Sequence, residues 1–381
     1  MRIALVTDGI FPYVIGGMQK HSYYLCKFLV QLGVEVDLYH TNDSNLDISK
    51  LELFTEDEKS KINSIVIKFP PSDKLPGHYL RSSYKYSLAI YDAYKKREKV
   101  DFIYCKGFSG WKLTQEKKSK KITTPLAVNF HGYEMFQPPT NFKIKIQNEL
   151  LFKGPVKFIC NNADYVFSYG SKIDDVIKAI PVAASKIISI PTGIASAWLN
   201  ENIKPTTPVK KFLFIGRYER RKGIQELTRA ISKLNNLNCE FHFIGPIPKQ
   251  NQLIKENVIY HGSITNQDEI KEITRNSDVL ICPSYSEGMP NVIMEGMASG
   301  LAIIASNVGA VDLLVSNKNG YLLALTELNS LAPIIEKFIE MPADHIDSMK
   351  RNSFDIIKNS FLWSNIAQLH LNFFNDAIKK Y

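Results

Sequence analysis

Two glutamates eight residues apart, Glu287 and Glu295, stand in the stretch 278–309, DVLICPSYSEGMPNVIMEGMASGLAIIASNVG. Residues 278–283 form a short apolar run of β character. Residues 290–299 read as a helix with Pro290 near its first turn, where a missing N–H costs nothing. Glu287 then falls in a strand-to-helix turn, and Glu295 lies between one and two turns into the helix. Ligands of open α/β sheets bind at the carboxyl ends of strands, and a helix N-terminus offers free N–H groups and partial positive charge to an anion. Two carboxylates beside such a site would repel a phosphate unless they accept hydrogen bonds from hydroxyls. Sugar and ribose hydroxyls are the natural partners.

Three other groups have chemistry to offer. The segment GRYERRKG follows a predicted strand at 211–215 and places Arg217 and Lys222 at its end. Arg presents a planar fork to phosphate oxygens and Lys a point charge; Arg220 and Arg221 are expected to point outward, and a merely solvated basic loop is the plainer reading. NFHGYE puts His131 at the carboxyl end of a predicted strand at 126–130. A lone histidine is usually structural, but this is where sites are built. Gly16 and Gly17 close the loop after the first strand; adjacent glycines either make a plain turn or let the backbone approach a bulky ligand. No G-x-G-x-x-G is present, so the dinucleotide fingerprint is absent.

The pattern PS-x-x-EG-x-P-x-x-x-x-E-x-x-A-x-G, with Pro283, Ser284, Gly288, Pro290, Ala298 and Gly300 around the two glutamates, resembles the signature of retaining glycosyltransferases of the GT-B fold. This is glycosyltransferase family 4, or glycosyl transferases group 1, with its sucrose synthase-like and lipopolysaccharide-type members. The resemblance covers nearly the whole chain, strongly after residue 212 and weakly between 41 and 99. It implies an α/β protein of two doubly wound Rossmann-like domains facing across a cleft. The acceptor-side domain would span 1–195, joined by a last helix crossing back at 362–381, and the nucleotide-sugar domain 205–360.

The same resemblance implies roles. Gly216, Arg217, Lys222 and Gly223 match the family's G-R-x-x-x-x-K-G, whose Arg and Lys hold the donor diphosphate. Glu295 would accept the ribose hydroxyls and Glu287 the donor sugar hydroxyls, with the helix N-terminus at Gly288, Met289, Pro290 and Asn291 facing the phosphates. His131 would lie by the donor sugar, Gly16 and Gly17 would face the donor, and the base would rest near Ile264. VGAVDL departs from the family's Gly-Gly-x-x-Glu: Ala310 replaces the second Gly and Leu313 the Glu, with Asp312 one place early. The expected reaction is retaining transfer of a sugar from a nucleotide-diphosphate donor, UDP or GDP, to a glycan or lipid-linked acceptor. No Asp-x-Asp occurs, so no metal or other cofactor is expected. A GT-B epimerase or phosphorylase, or a silent sugar-nucleotide binder or membrane scaffold, would share the fold. The epimerase and phosphorylase need further acid-base residues or a cofactor lysine that the sequence does not display.

Composition agrees with a globular chain long enough for two domains: 45% hydrophobic and 22% charged over 381 residues. No run reaches the roughly 18 to 20 apolar residues of a spanning helix, and Asp8 interrupts MRIALVTDGI, which reads as a buried first strand rather than a signal peptide. The five scattered cysteines read as core residues of a reducing, cytoplasmic compartment. Net charge is +9, concentrated at 81–121, where twelve Lys and Arg meet four Asp and Glu. Two readings stay open for that stretch: solvated helix ends, or a patch for an anionic membrane surface or a pyrophosphate-bearing acceptor. Nucleic acid is not an expected partner.

Alternating strand and helix signals run through both halves. A helix is expected at 18–32, a polar, irregular stretch at 42–74 with one strand at 64–69, a Tyr-rich helix at 77–99, one helix over 141–160, a Pro-bearing linker ENIKPTTPVKK, and helices from 327 to 360.

Overall fold

The computed structural model describes residues 1–381 apart from 15, 42–52, 72, 74 and 236–237. Part of the stretch expected to be polar and irregular, 42–74, therefore lies outside the described residues. Among those described, the chain forms two compact units. Met1–Gln137, Asn141–Gly193 and Trp363–Tyr381 make the first; Pro138–Thr140 and Ile194–Leu362 make the second.

The first unit is built on a parallel sheet of β1 (Arg2–Val6), β2 (Glu35–His40), β3 (Ile62–Val66), β4 (Phe102–Lys106), β5 (Leu126–Asn129), β6 (Tyr165–Ser168) and β7 (Ile187–Ser189), in the order β3-β2-β1-β4-β5-β6-β7. Ile3 lies opposite Val36 on one side and Phe102 on the other. Parallel strands covered on both faces read as unbroken apolar runs, and FIYCK of β4 is buried throughout. The helix Gly17–Gln31 buries Leu25, Leu29 and Val30. The final helix, Trp363–Lys379, adds Trp363, Ile366, Phe374 and Ala377 to the same core.

The second unit has β8 (Lys210–Ile215), β9 (Cys239–Ile244), β10 (Val258–Gly262), β11 (Val279–Cys282), β12 (Ala302–Ser306) and β13 (Gly320–Leu323), all parallel, in the order β10-β9-β8-β11-β12-β13. Phe212, Phe214, Phe241 and Phe243 face one layer of helices with Leu227, Ile231, Ile335 and Phe338. In each sheet the strand order reverses at one place, between β1 and β4 in the first and between β8 and β11 in the second. Crevices form at the carboxyl ends of strands at such switch points.

Three local features differ from expectation. A sixth strand, β13, completes the second sheet where no strand was expected; GYLL is short, and Gly320 is required because a Cβ there would sit 1.9 Å from the Ile303 carbonyl oxygen. Residues 141–160 are not one α-helix but an α-helix at Phe142–Gln147, a π-helical turn at Asn148–Phe152 and an α-helix at Lys153–Asn162. The segment expected to be irregular contains a helix at Glu56–Ser60, started by a capping box between Thr55 and Glu58. The five cysteines are free and buried.

Candidate functional site

In the second unit the carboxyl ends of the strands are sewn to one another by backbone. The Gly216 N–H donates to the Ile244 carbonyl at 2.9 Å, and the Gly245 N–H to the Gly262 carbonyl at 2.8 Å. Gly245 has φ +143, and a Cβ there would lie 1.9 Å from the Gly216 oxygen. The ends of β8, β9 and β10 are thereby fixed side by side, with Ile264 two residues beyond β10. Across the switch point, Gly223 (φ +67) packs so closely that a Cβ would sit 1.9 Å from the Pro283 carbonyl oxygen, and the Tyr285 N–H donates to the Arg221 carbonyl at 2.7 Å. Beyond β12, Gly309 (φ +58) rests on the carbonyls of Glu287 and Gly288, and the Ala310 N–H donates to the Gly288 carbonyl at 2.8 Å. The loops 216–223, 283–290 and 307–310 therefore form one rigid rim.

That rim brings Lys222 and Glu287 together: Nζ lies 2.6 Å from Oε1. Arg221 Nη1 stands 3.7 Å from the other carboxylate oxygen. Glu287 is buried, 7% exposed, with two cations around it. Neither Arg220 nor Arg221 points outward as expected. Arg220 is bonded to Glu226 at 2.7 Å and to the Tyr285 hydroxyl at 2.9 Å, and its guanidinium stacks on the Tyr285 ring. Only Arg217 of this basic group stands largely in solvent, its side chain 69% exposed and 3.0 Å from Glu219.

The helix Asn291–Ala298 begins at Pro290, which accepts hydrogen bonds from Ile293 and Met294. Met289 is buried beneath it, and Glu295 lies on the buried side of the helix, 9% exposed. Burial pushes the Cys282 thiol up to about 11, so it is no nucleophile at neutral pH. Asp312 and Leu313, where the sequence departs from the family pattern, sit in an exposed 3₁₀ turn at Val311–Leu313.

The first unit carries a second cluster, at its own switch point. His131 follows β5 with φ +57, an uncommon conformation for a non-glycine residue. Its N–H donates to Asn129 Oδ1 at 2.6 Å, its Nδ1 is hydrogen-bonded to the Tyr169 hydroxyl, and its Nε2 is buried without a partner among the described residues. His21, from the helix that starts at Gly17, meets His131 edge-on at 5.1 Å. Lys106, the last residue of β4, is 1% exposed, 3.2 Å from His21 Nδ1 and 4.0 Å above the Tyr104 ring. Burial holds the Lys106 ammonium well below the usual lysine range. Burial and then Lys106 hold His21 and His131 well below the usual imidazole range, so both rings are neutral at pH 7.

Sequence reasoning passed over Lys106, His21 and Tyr169, and aimed Arg221 outward. A lysine ending an otherwise apolar strand, FIYCK, was the available sign for the first; the others owe their places to residues far away in the chain. Gly16 is extended, and a Cβ on it would collide with the Gln19 side chain, whose amide donates to Asp8 at 2.9 Å. In the basic stretch 81–121, Arg81, Lys95, Arg97, Lys112, Lys117 and Lys121 are engaged in ion pairs. Among the described residues no helix is long and apolar enough to cross a membrane.

Two family models match the chain, Glycosyltransferase Family 4 over residues 15–198 and Glycosyl transferases group 1 over residues 209–341. Among curated proteins it is 27% identical over 258 residues to the Bacillus subtilis protein described as the teichuronic acid biosynthesis glycosyltransferase TuaC. That match covers 64% of each chain, so the chain spans under two thirds of that relative's length. Among solved structures it is similar to sucrose-phosphate synthase from Thermosynechococcus elongatus, with a TM-score of 0.80 at 18% identity and full coverage of both chains. It is also similar to HepE of Anabaena in complex with UDP and glucose, with a TM-score of 0.68 at 17% identity, covering 99% of this chain and all of that one. At such identities the likeness is one of fold, the GT-B arrangement of two Rossmann-like domains.

Proposed function

We propose, from the premise that this chain belongs to the family 4 and group 1 glycosyltransferases, that it moves a sugar from a nucleotide-diphosphate donor to an acceptor hydroxyl with retention of configuration. The product would be a cell-surface polysaccharide or glycolipid, a reading supported by the likeness to TuaC. The complex of HepE with UDP and glucose supports a nucleotide sugar as donor.

The observation that carries the reading is the contact between Lys222 and Glu287 across the switch point of the second sheet, with Arg221 on the far side of the same carboxylate. A departing diphosphate needs fixed positive charge where its own charge develops. Lys222, at the end of a rigid loop, supplies it together with exposed Arg217. When Lys222 turns to phosphate, Arg221 stays beside Glu287, 3.7 Å from its other carboxylate oxygen, and the carboxylate accepts the donor sugar's hydroxyls. Glu295 takes the ribose hydroxyls, the Asn291–Ala298 helix N-terminus faces the phosphates, and the backbone near Ile264 receives the base. His131 is the first unit's candidate for hydrogen bonding to the sugar; neutral at pH 7, it acts as a donor or acceptor rather than as a cation. The departing phosphate oxygen accepts the acceptor's proton, which is consistent with a front-face displacement.

Thermal-shift screening against UDP- and GDP-sugars, followed by donor turnover with extracted lipid acceptors, tests this reading. Stabilisation by one nucleotide sugar with no turnover on any acceptor would favour a silent binder. Chelation by EDTA should leave turnover intact, because the proposed charge at the leaving group comes from side chains; a loss restored by Mg²⁺ or Mn²⁺ would remove the metal-independent mechanism.

A further inference from the structure

The helical stretch that begins at Phe142 turns an apolar stripe to solvent. Phe142 is 74% exposed, Ile146 43% and Leu150 77%. At a spacing of four they lie on one face, while Ile144, Leu151 and Phe152 are partly buried and hold the segment to the unit. Tyr79, 42% exposed, adjoins the anchored side of the segment: its ring and that of Phe152 are 6.5 Å apart, and a Cβ on Gly77 would lie 3.8 Å from Leu151. Phe142, Ile146, Leu150 and Tyr79 thus put exposed apolar surface on one segment of the first unit and its neighbour.

Lysine surrounds them. Residues 141–157 hold Lys143, Lys145, Lys153 and Lys157 against the single acid Glu149, which is paired with Lys153. Lys143 and Lys145 flank the stripe and Lys157 extends its line, all three exposed. The basic helix Trp111–Lys118 adjoins, with Lys118 Nζ 5.2 Å from the Phe158 ring.

We propose that the face bearing Phe142, Ile146 and Leu150 is where this protein lies on an anionic lipid surface. Charge selects this occupant. Protein interfaces are depleted in lysine, whereas a helix in the plane of a bilayer sinks its apolar face among the acyl chains and lets flanking lysines reach up to anionic headgroups. With one face anchored to the unit and only a single stripe free, the segment rests on a membrane rather than entering it. The contact is therefore not the stretch 81–121 as a whole, where six of the twelve cations already have acidic partners and Lys106 is buried. The inference rests on the reading that the acceptor is membrane-borne.

The test uses the full chain and sedimentation with phosphatidylcholine vesicles, with and without phosphatidylglycerol. The wild type should sediment with the anionic vesicles alone, less so as salt is added. The triple variant Phe142→Ser, Ile146→Ser, Leu150→Ser should bind at least about tenfold more weakly, since three side chains no longer leave water, while keeping its thermal shift with the donor nucleotide. Changing Lys117, Lys118, Lys120 and Lys121 to Ser should weaken binding less. Equal binding by the triple variant and the wild type would overturn this docking face but leave a membrane-borne acceptor standing. A wild type that ignores anionic vesicles at low salt yet glycosylates a short-chain soluble acceptor would end the membrane contact and spare the transferase reading. Light scattering that shows a dimer for the wild type and a monomer for the variant would mean that a second copy covers the stripe, and would also overturn the proposal.

Discussion

Replacing Gly223 with alanine tests whether the rim of the second sheet is as rigid as its contacts imply. Gly223 has φ +67, and the added Cβ would lie 1.9 Å from the Pro283 carbonyl oxygen, with the carbonyl carbon at 2.8 Å. Real contacts of this kind do not fall below 3.0 Å, so the two loops must part by about 1 Å. Both obstructing atoms are backbone, and no rotamer change relieves them. The same two loops carry Lys222 and Glu287, now 2.6 Å apart. A misplacement of about 1 Å at a catalytic contact costs on the order of a hundredfold in rate. The left-handed conformation adds about 1–2 kcal/mol of strain for alanine. Gly33→Ala separates the two effects, because Gly33 has φ +83 with nothing within 4 Å of the added carbon. We expect Gly223→Ala to lower kcat/KM for the donor about a hundredfold, and Gly33→Ala to cost stability without touching turnover. Both are read by steady-state kinetics alongside thermal melting. Turnover of Gly223→Ala within a few-fold of wild type would refute the rigid-rim argument.

Arg217→Ala and Lys222→Ala should each lower kcat/KM by about two to four powers of ten, since each removes a charge-assisted contact worth roughly 3 kcal/mol or more in the transition state; near-normal kinetics in either would end its assignment. Lys106→Met should stabilise the first unit by at least about 1 kcal/mol, because a buried amine whose partners among the described residues are the His21 and Tyr104 rings is replaced by an apolar chain of similar length; slower hydrogen exchange in β4 is the expected sign, and faster exchange the contrary one. His40 is pushed down to about 4 by burial, and His370 to about 3. Unfolded, each titrates near 6.5, so between those values the unfolded chain binds more protons than the folded one. The stability tied to His40, up to about 3 kcal/mol, is complete above pH 6.5 and is lost as pH falls toward 4. His40→Gln should flatten the pH dependence of protection in β2 between pH 6.5 and 4.5, and an unchanged slope would contradict this.

What could be read from the sequence depended on how local its cause was. Strands β8 and β11 are apolar runs that end at Gly216 and Pro283, so the places of Arg217, Lys222 and Glu287 follow from strand-end rules applied to a few residues. The contact between Lys222 and Glu287 joins residues 65 apart, and only the strand order makes it. Arg221 could not be aimed from its neighbours, since Tyr285 orients its carbonyl from across the switch point. Residues 141–160 have a helical composition, but the π-helical turn at Asn148–Phe152 interrupts the α-helix, which periodicity assumed at 3.6 does not reveal. His21 and His131 were visible as residues; that their rings meet edge to face was not.

The last helix carries a consequence for how the molecule is made. Gly193, where the chain leaves the first unit, packs against Trp363, where it returns; a Cβ there would lie 2.9 Å from the indole ring. The core of the first unit needs Trp363, Ile366 and Phe374, yet residues 194–362 are synthesised in between. At about 5–20 residues per second, that interval is roughly 10 to 30 s on the ribosome. Throughout it the nascent first sheet exposes apolar surface that its final helix will cover, and it is a substrate for chaperones. The second unit is essentially contiguous and closes its core as soon as it emerges. The half translated first is therefore completed last, and a bulky fusion at the far end of the chain would burden the amino-terminal sheet rather than the unit that precedes the fusion in sequence.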